Sequence, residues 1–153
     1  MRTCTTALML LSCACMYAQI SRSMASYEAK AHQLGTELQI NSKDNDFQRG
    51  ISFRITVHPN KEITLRQTWM KNNGETDQMV LSFHPRNIIN VGKRYHRDAI
   101  GLAVQCEDKT ITNHWMDIKH MNSSFDILCF KNDIEAVARI EETLLQLKEL
   151  STK

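Results

Sequence analysis

The densest group of side chains able to hold an anion is Arg86, Lys93, Arg94, His96 and Arg97, gathered around Gly92. Guanidinium and ammonium groups beside a glycine, which lets backbone N–H groups come close to a ligand, suit a phosphate, a sulfate or an acidic partner. The same composition also describes an ordinary solvated basic loop, and Asp98 offsets part of its charge. His114, Asp117 and His120 are of metal-binding type. On one extended strand, however, His114 and Asp117 fall on opposite faces, and a metal needs at least three convergent ligands, so no metal site is expected. Cys106 or Cys129 would need a histidine as base to act as a nucleophile. Neither cysteine carries a local signature, and both sit in apolar alternation, where thiols are inert packing groups. A Gly-rich phosphate loop, a serine elbow, zinc-finger spacing and paired carboxylates do not stand out, so neither catalysis nor a cofactor is expected.

Cys106 and Cys129 are open to two readings. Bonded, they would close a loop of about 23 residues and contribute about 3 kcal/mol; unbonded, they would pack as small apolar groups. Trp69, Trp115 and Tyr95 are of the type enriched at partner surfaces, but Trp69 alternates with Ile63 and Leu65 and is expected to face the core. Asn122-Ser123-Ser124 is a glycosylation sequon in a eukaryotic host and a polar turn in a bacterial one.

These side chains must be carried by a small number of elements. Tyr27, Ala31, Leu34 and Leu38 share a helical face, which predicts a helix over residues 24–40 despite Gly35, followed by a polar loop over 41–46. From Phe47 the period becomes two: Ile51, Phe53, Ile55 and Val57 predict one strand, Ile63, Leu65, Gln67 and Trp69 a second, and Met79, Leu81 and Phe83 a third. Turn chemistry at 58–61 and 72–74 joins them as a meander. Residues 84–98 read as a loop holding at most one short strand. Further strands are expected at 100–106, 110–118 and 125–130. Asn132 and Glu135 have the spacing of a capping box, and Val137, Ile140, Leu144 and Leu147 mark one face of a helix running to Leu150.

The chain begins with Arg2 and an apolar run from Ala7 to Ala18, the layout of a secretory signal. Residues 1–18 are therefore expected to be removed, leaving 19–46 as a helix and linker and 47–150 as the sheet with its closing helix. The run is shorter than the roughly 20 residues a spanning helix needs, and no transmembrane segment is expected. Cleavage before Gln19 resembles the secreted proteins of Bacteroidetes-type bacteria. Leu10-Leu11-Ser12-Cys13 offers a second reading, a lipoprotein anchored through Cys13. The 153 residues hold 19 Lys and Arg against 17 Asp and Glu, a balance that implies neither nucleic acid nor an anionic membrane as partner.

An antiparallel meander closed by one long amphipathic helix resembles the pleckstrin-homology-like barrels, most specifically in the run from Ser124 to Ile140. That resemblance implies an α+β fold: an antiparallel, curled sheet or barrel of six to seven strands, with an N-terminal helix and a C-terminal capping helix. Arg49, Arg54, Lys61 and Arg66 surround the first hairpin but lack the basic spacing of the lipid-binding members, so the resemblance carries no lipid chemistry. Two functions fit. One is an exported, non-enzymatic binding module with a filled core, presenting its surface to a protein or small ligand. The other is a ligand-sequestering or hydrolytic cone, cystatin-like or nuclear-transport-factor-like, which would contain an apolar pocket with a few converging polar groups.

Overall fold

The computed structural model describes residues 3–42, 48–95, 100–115, 118–130 and 134–152. Helix α1 runs over Thr3–Asn41, longer than the 24–40 periodicity predicts, because no helix breaker separates the apolar run of residues 7–18 from the amphipathic segment. Its predicted face is buried: Tyr27, Ala31, Leu34 and Leu38 are at most 1% exposed. Ala18 and Gln19 lie exposed on this helix, and the expected loop at 43–46 lies outside the described residues.

Strands β1 (Arg49–Val57), β2 (Ile63–Met70) and β3 (Thr76–Phe83) form the expected antiparallel meander. Phe83 ends it because Pro85, which has no N–H to donate, opens a short 3-10 turn at Pro85–Asn87. The His84 side chain caps this turn by accepting from the Arg86 N–H, while its other ring nitrogen bonds the Asn60 carbonyl at 2.9 Å. Residues 84–98, read as a loop, instead supply a full strand, β4 (Ile88–Tyr95), paired with β5 (Ile100–Cys106). A register shift between Ile88 and Asn90 breaks the period of two, so Ile88 and Val91 are both buried although three residues apart. Ile89 is left 59% exposed.

The segment expected to run extended over 110–118 contains β6 (Ile111–Trp115), which returns to pair with β3, and it is followed by an unanticipated β7 (Ile118–Asn122). After Ser123 the chain enters β8 (Ser124–Phe130), which pairs with β5. The strands thus number more than the expected six or seven. Among the described residues they form two antiparallel sheets, ordered β1-β2-β3-β6-β7 and β4-β5-β8, and no closed barrel. Phe83 and Phe125 bridge the sheets with ring centroids 4.9 Å apart.

Helix α2 (Ile134–Ser151) buries Val137, Ile140, Leu144 and Leu147 as predicted; the Asn132 cap lies outside the described residues. The two helices pack on each other, α1 also on β1 and α2 on β4, β5 and the Pro85 turn. Arg139 reaches Glu37 at 3.5 Å along the seam. Among the described residues no helix is long and apolar enough to cross a membrane.

The Tyr27 ring is fully buried, and its hydroxyl donates to the Lys61 carbonyl at 2.6 Å. Burial holds that phenol well above its ordinary pKa. Tyr27→Phe leaves the carbonyl unmatched and is expected to lower unfolding free energy by about 1–2 kcal/mol in urea denaturation.

Candidate functional site

The inward face of the larger sheet is set by its register. Phe53, Gln67 and Met79 occupy one cross-strand row; Ile55, Leu65, Leu81, Asn113 and His120 occupy the next. Most of these positions are apolar, as a buried face requires, but Gln67 is only 5% exposed and Asn113 carries a polar side chain in the same layer. Both carboxamides border a cleft of about 310 Å³ between the sheets. Trp69 and Met79 wall it on one side; Ser124, Phe125 and Asp126 of β8 wall it on the other.

The polar groups of this cleft differ in how they are matched. Asp126 receives the Arg94 guanidinium at 2.5 Å, an ion pair open to solvent on both sides. Asn113 Oδ1, in contrast, is buried with no hydrogen-bond partner, alone among the described side chains in that condition. Leaving a buried acceptor unmatched costs about 1–3 kcal/mol. Asn113 thus borders the cleft with its Oδ1 covered, while Trp69, Met79 and Phe125 supply the apolar part of the lining.

The basic group singled out in the sequence is distributed along β4. Arg86 lies in the turn before it, whereas Lys93 and Arg94 stand near its far end, where strand rise places Arg94 about 20 Å from Ile88. Lys93 is opposite Leu102 and Arg94 opposite Gly101, so the two side chains leave on different faces. His96 and Arg97 lie outside the described residues. Tyr95 is 70% exposed, Trp69 is in the core as expected, and the Trp115 side chain lies outside the described residues.

His114 and His120 fall on the neighbouring strands β6 and β7. Asn113 pairs with His120 and His114 with Lys119, so the two imidazoles face opposite sides of the sheet. Asp117 lies outside the described residues, among which no group of three metal-binding side chains occurs.

Cys106 is a free, buried thiol, not half of a disulfide. On β8, Cys129 falls between the Leu102 and Ile100 pairings, about five strand positions from Cys106 and so about 16 Å along the ladder. A disulfide tolerates no more than about 7 Å between Cα atoms. The sequence leaves this pair undecided because strand register, not chain spacing, sets the distance. The cleft residues were discernible only as a polar side chain at an inward position: Gln67 interrupts Ile63, Leu65 and Trp69.

Comparison of the chain with protein-family models, curated proteins and solved structures finds no match.

Burial, followed by the nearby Glu107 carboxylate, pushes the Cys106 thiol up to about 11. At about pH 8 it is therefore protonated as well as covered, and iodoacetamide is expected to label Cys106 only after denaturant is added. Peptide mass mapping of labelled native protein checks this; rapid native labelling would contradict it.

Proposed function

We propose that the chain is an exported, non-enzymatic binding module that holds a small ligand in the cleft between its two sheets. The observation that carries this reading is the buried, unmatched Asn113 Oδ1 at the cleft wall. A turn of the Asn113 carboxamide toward a ligand N–H or O–H would recover what the burial of Oδ1 costs, while Trp69, Met79 and Phe125 accept an apolar body. The volume of about 310 Å³ lies at the small end of ligand sites.

An apolar cleft with converging polar groups favours the ligand-sequestering form of the domain over a barrel with a filled core. Hydrolysis is less well supported. The cleft is bordered by carboxamides, a thioether and aromatic rings, and its carboxylate, Asp126, is engaged by Arg94. The run from Ser124 through α2 supports kinship with the pleckstrin-homology-like folds, here with the strands divided between two sheets.

The layout of residues 1–18 supports export. Every described buried residue of α1 lies at Tyr27 or beyond, so cleavage after Ala18 would leave the packed face in the mature domain.

Asn113→Leu separates stability from binding. Removing a buried unmatched acceptor is expected to raise unfolding free energy by about 1 kcal/mol. The same change is expected to weaken, about tenfold, any fragment that bears a donor and shifts Trp69 fluorescence. A variant that is less stable and binds such fragments unchanged would overturn the reading. Intact-mass spectrometry of the protein from its native host checks the export step: a chain starting at Gln19 is expected, one starting at acylated Cys13 would place the domain on a membrane, and a full-length chain would refute export.

A further inference from the structure

The outward face of the larger sheet is unlike the rest of the surface. Strand pairing aligns Arg54 with Arg66, Arg66 with Val80, Val80 with His114, and His114 with Lys119. One row crossing all five strands therefore carries four basic side chains, each exposed. At about 4.8 Å per strand the row spans about 19 Å.

One of its contacts is between like charges: Arg54 lies directly opposite Arg66, a pairing that destabilises a sheet, while Lys119 lies opposite His114. Neither arginine forms an ion pair with a described residue, and the outward positions of the five strands among the described residues include no carboxylate. Four of the 17 acidic side chains, Glu135, Glu141, Glu142 and Glu149, lie on α2. The net charge of only +2 thus conceals one face whose described outward positions carry basic side chains and no carboxylate.

Hydroxyl rows flank the basic one. On one side Ser52 and Thr68 share a hydrogen bond of 2.5 Å beside the two arginines. On the other, Thr64 bonds Ser82 at 2.9 Å, with Thr56 and Thr112 in the same row. A shallow hollow of about 340 Å³ lies over Ser52, Arg54, Arg66 and Thr68. Two guanidiniums and the one hydroxyl hydrogen that the Ser52–Thr68 bond leaves over suit a tetrahedral oxyanion, whose several acceptor oxygens use more donors than a carboxylate does.

We propose that this sheet face docks a linear sulfated polysaccharide, one sulfate lying between Arg54 and Arg66 and another toward His114 and Lys119. Charge complementarity over a flat span selects an extended polyanion. Among the described outward positions the one ring is the His114 imidazole, short of the succession of stacking aromatics that single-stranded nucleic acid recognition uses. They also lack the apolar anchors by which a protein enters a lipid interface, apart from the dispersed Met70, Val80 and Met121. The hydroxyl rows suit the sugar hydroxyls between sulfates. The site is separate from the inter-sheet cleft, so either reading stands or fails alone.

The test uses the full chain and dextran sulfate, with neutral dextran, a single-stranded oligonucleotide and anionic phospholipid vesicles as competing probes, at about 0.1 M salt. Binding to dextran sulfate that neutral dextran does not compete is expected. The double substitution Arg54→Ser with Arg66→Ser is expected to weaken it about tenfold or more. Lys119→Glu, on an edge strand, is a second variant in case the first is poorly folded, and it is expected to weaken binding likewise. Lys109→Glu, at an exposed lysine in the turn after β5, changes the net charge by the same amount as either sheet variant and is expected to leave affinity unchanged. Equal loss in Lys109→Glu, no loss in both sheet variants, or tighter binding of oligonucleotide or vesicles through the same arginines would overturn the proposal.

Discussion

Lys61 occupies the turn between β1 and β2 at φ 64°, a left-handed conformation that costs a residue with a side chain about 1 kcal/mol. Contacts from three parts of the chain offset that cost. Its carbonyl accepts the Tyr27 hydroxyl of α1, its backbone N–H closes the turn on the His58 carbonyl, and its ammonium donates to the Leu150 carbonyl at 2.9 Å. The ammonium also lies 5.9 Å from the centre of the Tyr27 ring. A cation at the last carbonyls of α2 is favoured by the helix dipole as well as by the hydrogen bond. One turn residue therefore ties both helices to the first hairpin, and the helix seam, the hairpin and the core between them take their relative positions from it.

The second constraint is the free edge of β1. An edge strand exposes unpaired N–H and C=O groups that invite pairing with another chain. Gln39, one turn from the end of α1, covers that edge with its carboxamide: Nε2 donates to the Ile51 carbonyl at 3.2 Å, and Oε1 accepts from the Phe53 N–H at 2.8 Å. The side chain thus mimics a neighbouring strand. Gly35, one turn earlier on α1, also faces this strand, and a Cβ in its place would rest in ordinary van der Waals contact with Ile55 at 3.6 Å.

The sequence made the individual elements legible where one face is buried and the other wet. Tyr27 to Leu38, Ile51 to Val57, Ile63 to Trp69 and Val137 to Leu147 all obey a simple period, and their buried residues were identifiable from it. It concealed elements in which that contrast is lost. β4 is broken by a register shift after Ile88, and β7 is exposed at Ile118, Lys119, His120 and Met121 alike, so neither carries an alternation. The division into two sheets was not legible either, because β6 pairs back to β3 across the whole β4–β5 hairpin, a choice made by long-range contacts. The basic residues that the structure brings together, Arg54 and Arg66, are twelve positions apart and meet only through the hairpin register.

That register binds the two faces of the larger sheet to each other. In β2 the residues Leu65, Arg66, Gln67 and Thr68 alternate between core and solvent, so the cleft wall and the basic row are carried by adjacent residues of one strand. A slip of one position would bury Arg66 and expose Leu65, exchanging the faces of the whole strand. The devices that prevent it are local and lie on both sides. Gly74 at φ 84° and Lys61 at φ 64° fix the two turns, while the Ser52–Thr68 and Thr64–Ser82 hydroxyl pairs lock cross-strand neighbours on the solvent side. The hydroxyl rows around the arginines therefore hold the register that keeps Gln67 inside, and the chemistry of the outer surface and the shape of the inner cleft derive from one set of strand pairings.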